Sequence, residues 1–160
     1  MSGWDNFFLA QVGASAALAG LLFVGVSINL EKILASPWLP GRALETLVLL
    51  LTVLVVSSVM LVPRQPLPLL GGEVLVLGLA NWLLMTRLHL QARQVVAPSL
   101  RQSFAARVAS VQAACVPFIV GGIILTFQSE AGYYWLVAGV LGCVVVAVLN
   151  AWVLLIEINR

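Results

Sequence analysis

The side chains best able to bind or react in this sequence are polar and acidic ones. They lie within long apolar runs or at the ends of these runs. An amide or a carboxylate in hydrocarbon needs a hydrogen-bond partner or a water-filled space, so such residues line polar cores, interfaces or conduction paths. We expect a pore or polar core to be lined by Gln11, Ser15, Asn29, Glu45, Glu73, Asn81, Gln112, Asn150 and Glu157. The simpler alternative for Asn150 is a hydrogen bond that only holds two helices together.

Among the carboxylates, Glu45 and Glu73 are the strongest candidates for a functional role. Each lies within about the first turn of a predicted helix, where the helix dipole favours an anion, so an interfacial position explains both without a further role. The sharper hypothesis is that Glu73 guards an outer vestibule. Glu45 then lines an inner vestibule together with Asn29, Asn150 and Glu157.

Patterns typical of enzymes are missing from the sequence. His89 is the one histidine, and it has no cysteine or carboxylate at metal-ligand spacing, so we expect no metal site. There is no glycine-rich phosphate loop, nucleophile elbow or pair of catalytic carboxylates. Cys115 and Cys143 fall in apolar runs, where cysteine usually serves as a small packing residue. We therefore expect neither enzyme activity nor a cofactor.

The amino-acid composition indicates an integral membrane protein. Of 160 residues, 62% are hydrophobic and only 9% are charged, whereas a soluble domain has about 25% charged residues. So few charges cannot form a water-facing surface, which excludes a soluble enzyme and a disordered chain. The 8 Lys and Arg residues against 6 Asp and Glu form no basic face, which excludes a nucleic-acid partner.

The long apolar runs predict an all-α integral membrane protein, a bundle of five transmembrane helices that forms a single domain over residues 1–160. A helix of about 20 residues crosses the hydrocarbon layer. The predicted spans are about residues 7–30, 43–62, 69–88, 108–127 and 133–158. The third run is the shortest and contains Gly71 and Gly72, so a re-entrant hairpin between four true spans is the alternative.

The basic residues predict the orientation of the bundle. With five spans, Arg64 lies on one side and the other seven basic residues lie on the opposite side. The positive-inside rule then places the N-terminus outside and the C-terminus in the cytoplasm. The re-entrant alternative gives six basic residues against two and moves the N-terminus inside.

The first predicted helix has two distinct faces. One face carries residues that are mostly small, namely Gly13, Ala17, Gly20, Val24 and Ser27. A stripe with Gln11, Ser15 and Asn29 lies on nearly the opposite side. Small residues let helices approach closely in lipid, so we expect protein neighbours on both sides. Either both faces pack within one monomer, or the polar stripe faces a water-filled path or a subunit interface.

The fourth and fifth spans supply a predicted hinge and a second packing face. Pro117 removes a backbone donor, and Gly121 and Gly122 loosen the following turn, which predicts a bend in the fourth helix. On the fifth helix, Gly139 and Gly142 provide a face that suits close helix packing.

Both ends of the chain carry familiar apolar motifs. These are Gly13-Ala14-Ser15-Ala16-Ala17 and Ser27-Ile28-Asn29-Leu30 in the first helix, and Asn150-Ala151-Trp152 through Ile156-Glu157 in the last. Together they resemble a group of small, uncharacterised bacterial multi-pass membrane proteins. The resemblance implies a location in the bacterial cytoplasmic (inner) membrane, and it implies no activity and no site residue.

These features favour an oligomeric, channel-like conductor of an ion or small solute, assembled from copies of this chain. The alternative is a non-conducting accessory or modulator subunit that binds another membrane protein through the same surfaces. Membrane lipid is the further partner expected. A symmetric homo-oligomer with polar residues on its axis would favour conduction, whereas a dry core with an exposed small-residue face would favour the accessory function.

Overall fold

The computed structural model describes residues 3–94 and 101–158, and helices account for nearly all of them; no strand occurs in these ranges. The helices are α1 (Asp5–Ile28), α2 (Leu30–Ala35), α3 (Leu39–Met60), α4 (Leu67–Arg93), α5 (Arg101–Thr126) and α6 (Gly132–Ile158). All except the six-residue α2 are long and apolar enough to cross a membrane. The protein is therefore all-helical, and its five long apolar helices, the number that the sequence predicts, fit a multi-pass membrane protein.

Prolines and left-handed residues mark the ends of these helices. Pro40 and Pro68 lie in the first turns of α3 and α4. Backbone amides in a first turn have no acceptor within the helix, so a proline there costs no hydrogen bond. Arg64 and Gln128 adopt positive φ angles in the short connections after α3 and after α5. The third predicted span is one continuous helix, α4, of 27 residues. This differs from the re-entrant alternative, which requires two half-helices.

Four of the long helices form a closed ring in the order α3, α4, α5, α6, and α1 packs outside this ring. The main neighbour of α1 is α3, and it scarcely touches α6. Phe8 and Ser15 are its two buried residues. Because neighbouring spans run in opposite directions, the end of α1, the starts of α3 and α5, and the ends of α4 and α6 meet on one side. We call this side the arginine-rich end, since Arg42, Arg87, Arg93, Arg101 and Arg107 belong to it.

Glycines bring helix backbones into direct contact at the opposite end of the ring. A Cβ atom added at Gly71 of α4 would overlap the backbone nitrogen of Thr126 in α5. One added at Gly122 would lie 2.7 Å from the backbone nitrogen of Leu75. Gly121 of α5 approaches Gly132 of α6 in the same way. These backbone contacts fasten α4 to α5 and α5 to α6.

Phe118 fills the middle of the ring. Its side chain is fully buried, and it packs against Gly78 of α4 on one side and Gly139 of α6 on the other. Pro117 precedes it inside α5, which continues unbroken from Arg101 to Thr126. The predicted hinge residues Pro117, Gly121 and Gly122 are all buried in this packed region.

Candidate functional site

A buried carboxylate is the centre of the most polar region of the ring. Glu45, in the second turn of α3, is 1% exposed. Its Oε2 atom lies 3.0 Å from Nε2 of His89 in α4, and its Oε1 atom accepts a hydrogen bond of 2.9 Å from Nδ2 of Asn150 in α6. Glu45 therefore joins three of the four ring helices through one side chain.

The fourth ring helix contributes a cation. Nη2 of Arg107 in α5 lies 3.7 Å from Oε2 of Glu45. The Arg107 guanidinium also lies over the ring of Phe104, 5.2 Å from its centroid, and this ring meets His89 edge-on at 6.3 Å. A cation over an aromatic face gains attraction from the ring quadrupole. Phe104 thus helps to hold Arg107 and His89 at the carboxylate.

Arg42, which lies on α3 like Glu45, completes the site. Its Nη2 atom donates a 3.2 Å hydrogen bond to Oδ1 of Asn150, while the carbonyl oxygen of Arg42 accepts a bond from Thr46. The amide of Asn150 therefore donates to Glu45 and accepts from Arg42. We call Arg42, Glu45, His89, Arg107 and Asn150 the Glu45 cluster. It contains two arginines against one carboxylate, so it carries an excess of positive charge even when His89 is neutral.

Geometry and charge limit what the Glu45 cluster can do chemically. A proton can be shared between Oε2 of Glu45 and Nε2 of His89, because the two atoms are at hydrogen-bond distance. Nδ1 of His89 and Nε of Arg107 are buried and have no hydrogen-bond partner among the described residues. Within residues 3–94 and 101–158 no group of three or more His, Cys, Asp or Glu residues could hold a metal ion.

Weaker polar contacts extend from the Glu45 cluster towards the middle of the ring. Gln112 of α5 donates to Oγ1 of Thr86 in α4 at 3.2 Å, and Nδ2 of Asn81 contacts the Cys115 sulfur at 3.2 Å. His89 and Asn81 are eight residues apart on α4, which corresponds to about 12 Å along the helix. The polar layer therefore reaches the middle of the membrane span, where Phe118 and the glycine contacts begin.

The structure brings some of the predicted lining residues together and separates others. Glu45 and Asn150 are in direct contact, but Asn29 donates to the carbonyl oxygen of Gly25 in its own helix. Glu73 lies at the opposite end, where Oε2 accepts a 2.9 Å bond from Gln65. The side chain of Glu157 lies outside the described residues.

The two faces of α1 have different surroundings. Its polar stripe faces α3, and within it the Ser15 hydroxyl is buried and donates to the carbonyl oxygen of Gln11. The small-residue face is exposed and includes Gly13, Ala17 and Gly20. At Gly13 and Gly20 an added Cβ would meet no described atom within 4 Å. By contrast, Gly139 and Gly142 of α6 pack tightly inside the ring, against Phe118 and Ala114.

The sequence-based prediction did not include three residues of the Glu45 cluster, namely Arg42, His89 and Arg107. The sequence does contain a usable signal, because five spans place all three, together with Glu45, near the same end of their helices. A lone carboxylate inside an apolar run requires a cation or donor at equal depth. Searching the other spans at that depth would have selected His89 and Arg107.

Replacement of His89 tests whether its hydrogen bond to Glu45 contributes to stability. We expect His89→Leu to lower the free energy of unfolding by about 1–3 kcal/mol, because it removes a donor from a buried carboxylate. His89→Gln retains an N–H donor and should lose less than half as much. Unfolding of the purified protein by SDS in mixed micelles measures both variants. Equal losses for the two would show that ring packing, rather than the hydrogen bond, accounts for the effect.

Comparison with known proteins identifies no relative. No protein-family model matches the sequence, and no curated protein or solved structure is significantly similar to the chain.

Proposed function

We propose that this protein is a non-conducting accessory subunit of a membrane protein complex, and that the outward face of α1 binds a transmembrane helix of its partner. The observation that carries the proposal is the position of α1. The four-helix ring closes without it, yet it lies beside the ring with its small residues turned away. The proposal places the protein in the bacterial cytoplasmic membrane with the arginine-rich end in the cytoplasm, as the basic residues favour.

The exposed surface of α1 carries a row of small residues that runs along the helix. Along this row, Gly13, Ala16, Ala17 and Gly20 follow one another between the larger Leu9 and Val24, and all are exposed. On α3, α4 and α6 the outward side chains include Leu51, Val76 and Leu149. The outward surface of α5 has exposed alanines from Ala105 to Ala113, which reach the middle of the helix, but no glycine.

Small residues on a membrane surface favour a helix partner over lipid. Helices in hydrocarbon associate through close backbone packing, and pairs of small residues four positions apart permit it. Gly13 with Ala17, and Ala16 with Gly20, are two such overlapping pairs. A helix that packs across this row would contact the α1 backbone directly. A flexible lipid chain would make less close contact with this backbone.

The interior of the ring supports a non-conducting role. Polar contacts run from the Glu45 cluster to Asn81 and then give way to Phe118. Beyond it, the core contains apolar side chains such as Val74, Leu125 and Leu136, all fully buried. Direct glycine contacts fasten the same region. An ion entering from the arginine-rich end would therefore meet mostly apolar side chains along the second half of the span, where Ser57 is the fully buried polar residue among those described.

An oligomeric conductor is the second candidate, and the polar layer from Glu45 to Asn81 is the observation in its favour. A pore between subunits needs polar side chains on the surface that faces the axis. Between residues 9 and 24, however, every exposed side chain of α1 is apolar or is glycine. Conduction therefore stays a prediction, and the accessory function has the stronger structural support.

An ion-flux measurement separates the two functions. We expect liposomes that contain the folded protein to release potassium, sodium, protons and chloride no faster than empty liposomes do. The apolar half of the ring is the physical reason. A flux that rises with the amount of inserted protein, and that changes when Asn81 is replaced by leucine, would overturn the non-conducting proposal.

Site-specific photo-crosslinking in intact membranes tests the binding face. A photoreactive amino acid at Ala17 of α1 should give one discrete crosslinked product, whereas the same residue at the exposed Ala80 of α4 should crosslink to lipid only. A product at twice the mass of the chain would identify the partner as a second copy. Equal crosslinking at the two positions would contradict a dedicated binding face on α1.

A further inference from the structure

The one histidine of the chain, His89, lies inside the four-helix ring and is 5% exposed. Its Nε2 atom lies 3.0 Å from Oε2 of Glu45. The same carboxylate faces Arg107 and accepts a hydrogen bond from Asn150, surroundings that suit its ionised form. An ionised carboxylate only accepts hydrogen bonds, so Nε2 must donate this one. Neutral His89 therefore has its proton on Nε2 and a lone pair on Nδ1.

The surroundings of Nδ1 offer no acceptor for a second proton. This atom is buried and has no hydrogen-bond partner among the described residues, and the neighbouring ring of Phe104 meets the imidazole of His89 edge-on. A second proton must bind at Nδ1, because Nε2 already holds one. It adds no hydrogen bond to Glu45 and creates a buried N–H without an acceptor. Such a donor disfavours the closed arrangement by about tenfold to a hundredfold.

Protonation of His89 also adds a cation where the described cations already outnumber the anions. On α3, Glu45 faces His89, and Arg42 lies one turn earlier. On α5, Arg107 approaches the same carboxylate oxygen. On α4 itself, Arg93 is exposed one turn beyond His89, and the described neighbour from α6 is the uncharged amide already named. Attraction to one carboxylate is therefore offset by repulsion from the arginines.

The position of His89 determines where the ring can adapt to the second proton. The helix α4 ends at Arg93, about 6 Å beyond His89 along the axis, so a small outward movement of its last turns brings Nδ1 into contact with water. The other half of α4 is held by backbone contacts with α5 at Gly71 and Gly122. Opening is therefore confined to the arginine-rich end.

We propose that His89 is a proton-operated switch: a proton bound at Nδ1 moves the end of α4 away from α3 and α5, and its loss closes the ring again. A histidine in water changes charge between about pH 5 and 8. Acidification favours the form that binds more protons, and here that is the open form, in which water accepts from the Nδ1 proton. The inference does not depend on what α1 binds, so its failure and the failure of the accessory function can be distinguished.

Nuclear magnetic resonance detects the proton directly, because the chain has one histidine. In protein that contains 15N-labelled histidine, the two ring-nitrogen signals show which atoms of His89 carry protons. At about pH 8 we expect a proton on Nε2 only, and at about pH 5 a proton on both nitrogens. A proton on Nδ1 at the higher pH, or an imidazole that stays neutral at the lower pH, would overturn the proposal.

Hydrogen exchange of the backbone amides measures the opening. His89→Gln is the reference, because glutamine keeps an N–H donor for Glu45 but binds no proton. At about pH 5 we expect residues 87–93 and 101–107 to exchange at least about tenfold faster in the wild type than in this variant. At about pH 8 the two proteins should exchange alike. Comparison at one pH cancels the effect of pH on the exchange chemistry itself.

The opposite end of the ring supplies the controls. Amides near Gly71 and Gly122 should stay protected in both proteins at both pH values. Glu73→Gln removes the half-buried acid at that end and should leave the pH response of the wild type unchanged. Equal exchange of the wild type and His89→Gln at the lower pH would overturn the switch. Faster exchange around the whole ring would also overturn it, since the proton would then destabilise the fold rather than open one end.

The wild-type protein alone keeps the proposal testable if His89→Gln does not fold. The opening seen by hydrogen exchange should then follow the same pH dependence as the Nδ1 signal of His89, because one proton controls both. Two different pH dependences would show that another group opens the ring, and the proposal would be wrong.

Discussion

Glu45→Ala is expected to lower the free energy of unfolding by at least about 3 kcal/mol, because breaking a buried ionic network leaves its remaining members without compensation. The carboxylate has direct partners on α4, α5 and α6. Its removal leaves the Arg107 guanidinium, 17% exposed, without the nearest anion, and Asn150 without an acceptor. Unfolding by SDS in mixed micelles, followed by far-ultraviolet circular dichroism, measures the loss.

Glu73→Ala provides the matched control for this variant. Glu73 is also an acidic residue of a ring helix, but it is only half-buried and lies at the other end, where its partner is the neutral Gln65. An exposed or half-exposed interaction of this kind contributes about 1 kcal/mol or less. A loss for Glu45→Ala no larger than that for Glu73→Ala would show that the Glu45 cluster does not hold the ring together.

The arrangement of helices along the chain was predictable from the sequence because it depends on local physics. Apolar runs of sufficient length predict spans, and prolines together with short polar stretches interrupt them. The helix α2 was not predicted. At six residues it is too short to form by intrinsic propensity, and it depends on burial of Ile33 against Leu39 and Leu154. That contact joins segments far apart in sequence.

The site was only partly predictable, since it depends on which helices become neighbours. Glu45 and Asn150 were selected because each is polar within an apolar run. His89 and Arg107 lie just outside the predicted spans 69–88 and 108–127, where a local explanation suffices for each. Their convergence on one carboxylate follows from the ring order of α3, α4, α5 and α6, which the apolar pattern does not specify. The same order decides which face of α1 is covered.

Gly71→Ala is expected to destabilise the protein by about 3 kcal/mol, at the upper end of the usual range for overpacking. The added Cβ would overlap the backbone nitrogen of Thr126 and lie 2.8 Å from the carbonyl oxygen of Gly122. Both obstacles are backbone atoms, so no side chain can rotate away and α4 must separate from α5. The same SDS unfolding assay measures this loss.

Gly72→Ala makes the same change one residue further along α4 and supplies the control. At Gly72 an added Cβ meets no described atom within 4 Å, and alanine is the better helix former. We therefore expect a change in unfolding free energy of less than about 1 kcal/mol, in either direction. If Gly71→Ala behaved in the same way, α4 and α5 could separate at little cost. The half of the ring beyond Phe118 could then open, and its close packing would no longer favour a non-conducting protein.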